Sequence, residues 1–141
     1  MKSKTKKRYD GFTAEEKSAM RDRVRESKAG DADGEQEVLA KLAGMSKADR
    51  EAGERIHAIV KAAAPSLSPR LWYGMPAYTK NGKLLCHFQP AEKFKTRYPT
   101  VGFSDLAKLD DGDVWPVAYA VGDLTPAAEA KLTALVKKAA R

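Results

Sequence analysis

PRLWYGMPAYTKNGKLLCHFQPAEKFKTRYPTVGF, residues 69–103, is the stretch whose reading decides the fold. It holds seven of the eleven aromatic residues, the single cysteine and one of the two histidines. Residues 71–79 and 83–89 are rich in aromatic and apolar side chains, with Asn81-Gly82 between them. Asn and Gly both tolerate the positive φ that a two-residue hairpin turn demands, so the two arms are predicted to pair. Gly74 and Pro76 interrupt the first arm; proline cannot donate to a ladder, which points to an edge, a bulge or a start at Ala77. In the second arm period-2 alternation puts Leu84, Cys86 and Phe88 on one face, opposite Lys83, Leu85 and His87. A third arm over residues 95–103 follows Gln89-Pro90 and completes an antiparallel meander.

Outward from this stretch, helices are expected. Thr13-Ala14-Glu15-Glu16 is a capping box that opens a polar helix running to about Lys28, whose few apolar positions cover little core. Gly30 to Gly34, with Asp31 and Asp33, reads as a linker lacking the distal carboxylate of a calcium loop. A short helix over residues 36–43 ends at Gly44. Ser46 and Asp49 cap a longer one over residues 47–64, with Ile56, Ile59, Val60 and Ala63 facing inward and Pro65 as its stop. Beyond Phe103, Ser104 caps a short turn, residues 110–113 form another, and residues 114–121 read as a strand with Pro116 marking an edge or bulge. Thr125-Pro126 opens the last helix, which carries Lys137, Lys138 and Arg141 at its carboxyl end, where cations suit the helix dipole. The expected fold is therefore α+β, an antiparallel sheet covered on one face by helices. This two-layer sandwich occupies residues 35–141, preceded by a basic arm, polar helix and linker in residues 1–34.

The chain has 141 residues, 43% of them hydrophobic, and a formal charge of +7. The charge is unevenly placed. Residues 1–30 hold ten Lys or Arg against five Asp or Glu, and the remainder sixteen against fourteen. The surplus belongs to Lys2, Lys4, Lys6, Lys7 and Arg8, an arm read as solvated, although such arms also bind nucleic acid. No apolar run approaches a membrane span, the start lacks a secretory signal, and one cysteine excludes an internal disulfide framework. A cytoplasmic protein with no membrane partner is expected.

The run Tyr73-Gly74-Met75-Pro76-Ala77, with Gly82-Lys83-Leu84, Pro65 and the helix opening at Thr125-Pro126, resembles the YdhG-like family of small, mostly uncharacterised bacterial domains. The resemblance extends over about residues 38–140. It implies helices flanking an antiparallel sheet in a frataxin-like arrangement, and for some relatives an intracellular iron-chaperone role. Iron handling of that kind uses a ridge of carboxylates. Here Asp49, Glu51 and Glu54 are interleaved with Lys47, Arg50 and Arg55, while Asp110, Asp111 and Asp113 cluster in a turn. No cofactor is otherwise expected, and iron enters only through the resemblance.

Candidate sites are few. Cys86 and His87 are adjacent on a strand, so they point to opposite faces and cannot chelate one ion; Cys86 reads as a small core residue, His87 as a surface one and His57 as bordering the core. On the expected third arm Lys93, Lys95 and Arg97 would alternate along one face. The sharpest expectation is a cleft lined by Trp72, Tyr73, Met75, Tyr98 and Trp115, with Lys95 or Arg97 at its mouth, suited to a small organic anion. No nucleophile–base set is recognisable, so a non-enzymatic small-ligand-binding module is expected, as monomer or homodimer. An iron chaperone and a nucleic-acid accessory protein acting through the basic arm are the alternatives.

Overall fold

The computed structural model describes residues 13–26 and 33–141. The basic arm from Lys2 to Arg8 and the linker residues Gly30 and Asp31 lie outside the described residues. The elements run α1 (Ala14–Glu26), α2 (Gly34–Ala43), α3 (Lys47–Ala63), β1 (Ser68–Trp72), β2 (Met75–Lys80), β3 (Lys83–Gln89), α4 (Ala91–Phe94), β4 (Thr100–Phe103), β5 (Ala118–Ala120) and α5 (Pro126–Ala139). The strands form one antiparallel sheet in the order β1-β2-β3-β4-β5. The fold is an α+β sandwich, as expected. No helix among the described residues is long and apolar enough to cross a membrane.

The helix starts follow the sequence signals. Thr13 and Glu16 exchange their capping-box bonds at 2.8 and 3.0 Å. Ser46 accepts from the Asp49 amide at 3.4 Å, and Thr125 accepts from the Ala128 amide at 3.2 Å. Helix α2 begins at Gly34, two residues before the expected start.

The sheet departs from expectation in four places. Residues 71–79 are not one arm: Tyr73 and Gly74, with φ of 53° and 77°, make a tight turn that sets Trp72 beside Met75 and creates β1. The same turn type recurs at Asn81-Gly82, where φ is 53° and 80°. Positive φ at both central residues matches the right-handed twist of the flanking strands. Pro76 interrupts nothing, because the β2–β3 pairing begins only at Ala77.

Second, β3 carries one residue more than β2 between the pairs Tyr78↔Cys86 and Thr79↔Leu84. Leu85 is that extra residue. The bulge breaks strict alternation, and Leu85 enters the same core as Cys86 and Phe88 rather than the opposite face. Third, residues 95–103 are strand only over Thr100–Phe103, because the chain first turns through α4. Fourth, residues 114–121 are strand only over Ala118–Ala120, and Val114 is 88% exposed.

One core joins the layers. Leu71, Tyr78, Leu85, Cys86, Phe88, Val101 and Phe103 of the sheet meet Val38 and Leu42 of α2, Ile56 and Val60 of α3, and Leu132 and Val136 of α5. Burial of each large apolar side chain contributes about 1.5–3 kcal/mol. Helix α2 approaches the sheet so closely that a Cβ on Gly34 would lie 2.0 Å from the Pro69 carbonyl oxygen. That contact is with main chain and cannot rotate away.

Gly34→Ala is expected to destabilise the protein by ~1–3 kcal/mol through overpacking, although alanine gains up to about 1 kcal/mol in helix propensity. Urea unfolding decides it; an unchanged or higher midpoint would show that the α2–β1 spacing is not limiting.

Candidate functional site

A groove of about 590 Å³ lies between the α2–α3 corner, the β1–β2 turn and α4. This size falls within the ordinary range for small-molecule sites. Its apolar lining comes from Ala40 and Met45 over the buried Leu71 and Pro90, and its charged lining from Lys41 and Lys93 together with Glu37, Asp49 and Glu92.

Each wall has an identifiable cause. Helix α2 ends at Gly44, whose amide returns to the Lys41 carbonyl at 3.2 Å, and Ser46 starts α3 two residues later. Between them this corner exposes Met45 and the main chain. The opposite wall exists because Asp49, 3% exposed at the start of α3, accepts hydrogen bonds from the amides of Ala91 and Glu92 at 3.0 and 2.9 Å. A carboxylate on the first two amides nucleates α4. Lys95 closes it with φ of 57°, and the Thr96 amide donates to the Ala91 carbonyl at 3.0 Å. The expected alternation of Lys93, Lys95 and Arg97 along a strand face is thereby corrected. Lys93 is on the helix and Lys95 in its left-handed cap, paired with Glu15 at 3.4 Å. Arg97 lies 5.0 Å over the Tyr98 ring.

Lys93 and Lys41 converge on one point. Both ammonium groups face the Asp22 carboxylate of α1, at 3.2 and 3.6 Å, and Asp22 is 7% exposed. Gly74 lies beneath them, where a Cβ would meet the Lys93 Nζ at 2.3 Å and the Asp22 Oδ2 at 2.6 Å. Only glycine fits both this approach and the turn. Beside it Tyr73 holds the left-handed conformation at a cost of ~1–2 kcal/mol. Its ring meets Trp72 edge-on at 5.1 Å and lies 5.8 Å from the Arg23 guanidinium, contacts that offset part of that cost.

The expected aromatic cleft is not assembled as a single concavity. Tyr73 and Met75 line a hollow of about 280 Å³ with Met20 and Phe94. Arg97 and Tyr98 line another, of about 520 Å³, with Arg55 and Asp123. Trp72 packs on His87, with ring centroids 5.1 Å apart. Trp115 rests against the core. The turn at Tyr73-Gly74 explains the dispersal, because it folds Trp72 back beside Met75 and away from the chain around Tyr98. The groove itself was missed, since Lys41, Ser46 and Asp49 are far in sequence from Lys93. The one available signal was Gly74 in a Tyr-Gly run, a hairpin turn read as an interruption.

The remaining polar groups have structural roles. Cys86 is buried, which pushes its thiol up to about 12, so it is a poor nucleophile. His87, expected at the surface, is half-buried over Gly102, and burial lowers its pKa. Asp110, Asp111 and Asp113 are exposed, whereas Asp49 is turned inward as a cap. Among the described residues no group of three or more His, Cys, Asp or Glu is placed to hold a metal ion.

His57, 7% exposed, stands in a chain of bonds. Its Nδ1 meets the Tyr78 hydroxyl at 2.8 Å and its Nε2 the Glu35 carboxylate at 2.9 Å, while Lys61 donates to Glu35 at 2.7 Å. Burial pushes the Tyr78 phenol well above its ordinary range. The Lys61 bond, followed by the His57 bond, holds the Glu35 carboxyl below its ordinary 4.5.

His57→Leu and Tyr78→Phe each strand a buried partner and should cost ~1–3 kcal/mol. The double variant is expected to cost less than the sum by roughly 1 kcal/mol, and strict additivity in denaturant unfolding would show that the bond carries no coupling. Glu35 supplies a pH test. Its lowered pKa contributes stability above 4.5 that is lost as pH falls through the lower folded value. The melting-temperature gap between the native chain and Glu35→Gln should therefore close on acidification, and a gap that widened below 4.5 would contradict the assignment.

Comparison with models of known protein families, with curated proteins and with solved structures finds no match.

Proposed function

We propose that the chain is a non-enzymatic binding module that holds a small organic anion in the groove between the α2–α3 corner, the β1–β2 turn and α4. One observation carries the reading: Lys41 and Lys93, from opposite walls, direct their ammonium groups to a single carboxylate position beside an apolar floor. Two cations held around one point form a pre-organised anion site, and little rotamer entropy remains to be lost when a ligand binds. Asp22 fills that position in the ligand-free chain, and a ligand carboxylate replaces it. Meanwhile Ala40 and Met45, the apolar side chains of the groove that keep exposed surface, receive the ligand's apolar part.

Nothing lining the groove forms an activated nucleophile. The Ser46 hydroxyl donates to Asp49 at 3.3 Å, and the Asp49 carboxylate is committed to the α4 amides. The ligand class is that expected from the sequence, a small anion; the site is relocated from the aromatic cleft. The Tyr73–Ala77 run that resembles YdhG-like domains supplies the turn under Lys93, so family membership belongs to the same proposal. A lone, buried thiol suits a reducing, cytoplasmic setting.

Titration with a panel of amphipathic carboxylates, followed by amide chemical shifts, tests the proposal. Shifts should concentrate at Lys41, Gly44, Gly74 and Lys93, and Lys93→Ala should weaken binding by about tenfold, the loss of one charge-assisted contact. Shifts centred on Tyr98 or on Tyr73 and Met20, or binding indifferent to Lys93→Ala, would exclude this groove.

A further inference from the structure

At the opposite end of the sheet lies a second charged feature. Lys80 and Lys83 close the β2–β3 turn as a direct cross-strand pair. Like charges in that position repel and destabilise a hairpin. Lys108 and Arg141 join them around a hollow of about 250 Å³, with Asn81 and Leu106 completing the wall and no carboxylate side chain lining it.

The grouping is held by main-chain bonds. The Lys80 ammonium donates to the Ala140 carbonyl and to a main-chain oxygen of Arg141, the last residue described, at 2.7 and 2.9 Å, which fixes it against the end of α5. The Lys108 amide donates to the Ala139 carbonyl at 3.2 Å and brings a third segment to the same place. Lys80 joins Lys137 and Lys138 of the last turn in matching the partial negative charge at the α5 terminus. Lys83, Lys108 and Arg141 are exposed and form no ion pair among the described residues. Elsewhere Arg55, Lys61 and Lys95 each have a carboxylate. Gly82 has open space above it, so the top of the turn is accessible.

We infer that this hollow is a binding site for a compact phosphate-bearing anion, separate from the groove at Lys41 and Lys93. Four cations converging from three chain segments suit a multiply charged group whose oxygens accept from several donors at once, and lysine and arginine are the usual partners of phosphate. The repulsion between Lys80 and Lys83 is relieved when such a group sits between them. A hollow of this size takes a phosphate or pyrophosphate moiety, whereas an extended polyanion would need a longer basic track.

The test uses the full chain with inorganic pyrophosphate as the probe, followed by calorimetry and amide shifts. Saturable binding is expected, with shifts centred on Asn81, Lys83 and Lys108. The pair Lys83→Gln and Lys108→Gln should weaken it by about tenfold or more without lowering the melting temperature. Lys93→Ala should leave it unchanged, which separates this site from the carboxylate groove. Shifts at Lys41 and Lys93, or no saturable binding, would overturn the inference. So would a single-stranded oligonucleotide or anionic phospholipid vesicles binding without competition from pyrophosphate, since either would assign the patch to an extended surface.

Discussion

A buried carboxylate with two main-chain partners organises the grooved end of this molecule. Asp49 sits at the start of α3, 3% exposed, and bonds the amides of Ala91 and Glu92 across 42 and 43 residues of chain. An ion so deeply buried is tolerated only when its oxygens are matched by donors, and here two N–H groups and the Ser46 hydroxyl match them. The consequence is geometric. The segment after β3, which would otherwise run straight toward β4, is drawn into a helical turn under α3. That turn aims Lys93 back over Gly74 and toward Lys41.

The same interaction separates what could be read along the chain from what could not. Capping signals at Thr13, Ser46 and Thr125 are local, each involving groups three residues apart, and the structure forms all three bonds. The Asn81-Gly82 turn is local too. Residues 91–97 follow the opposite logic. Their alternation of Lys93, Phe94, Lys95, Thr96 and Arg97 has a strand period, yet a cap supplied from Asp49 overrides it. Tyr73-Gly74 is an intermediate case. A tyrosine with positive φ is rare enough that the turn stayed hidden behind Pro76, although its glycine is ordinary turn chemistry. With that turn present, Trp72 packs on His87, Tyr98 lines a separate hollow and Trp115 rests against the core, so the expected aromatic set is dispersed.

Charge shows a related division. The formal +7 does not make the described body a uniformly basic surface. Many of its cations already have partners: Lys41 and Lys93 share Asp22, Arg55 meets Glu129, Lys61 meets Glu35, and Arg23 and Arg97 cover tyrosine rings. The groove cations are thus balanced within the chain, and the proposed ligand would exchange with Asp22 rather than fill a charge vacancy. At the far end Lys83, Lys108 and Arg141 have no such carboxylate side-chain counterpart among the described residues. Two sites with the same side-chain chemistry therefore differ in kind. As proposed, one would trade an internal carboxylate for an external one and the other would gain an anion outright, so salt would screen the second more strongly.

The polar chain through His57 links these local features to the rigidity that a binding groove requires. Glu35 lies on α2, His57 on α3 and Tyr78 on β2, so one continuous set of bonds spans three elements across both layers. Tyr78 is also the residue opposite the β3 bulge. A one-residue slip of β2 would turn the Tyr78 ring to the other face and leave the imidazole with an empty position in a buried setting. The bond therefore penalises wrong registers more than it stabilises the right one. Glu35 joins this chain from the start of α2, and Lys41 and Gly44 of the groove wall lie at the other end of the same helix. The buried Tyr78–His57–Glu35 chain would thus act on the proposed binding without touching the ligand, by holding α2, which carries Lys41, against α3 and the sheet.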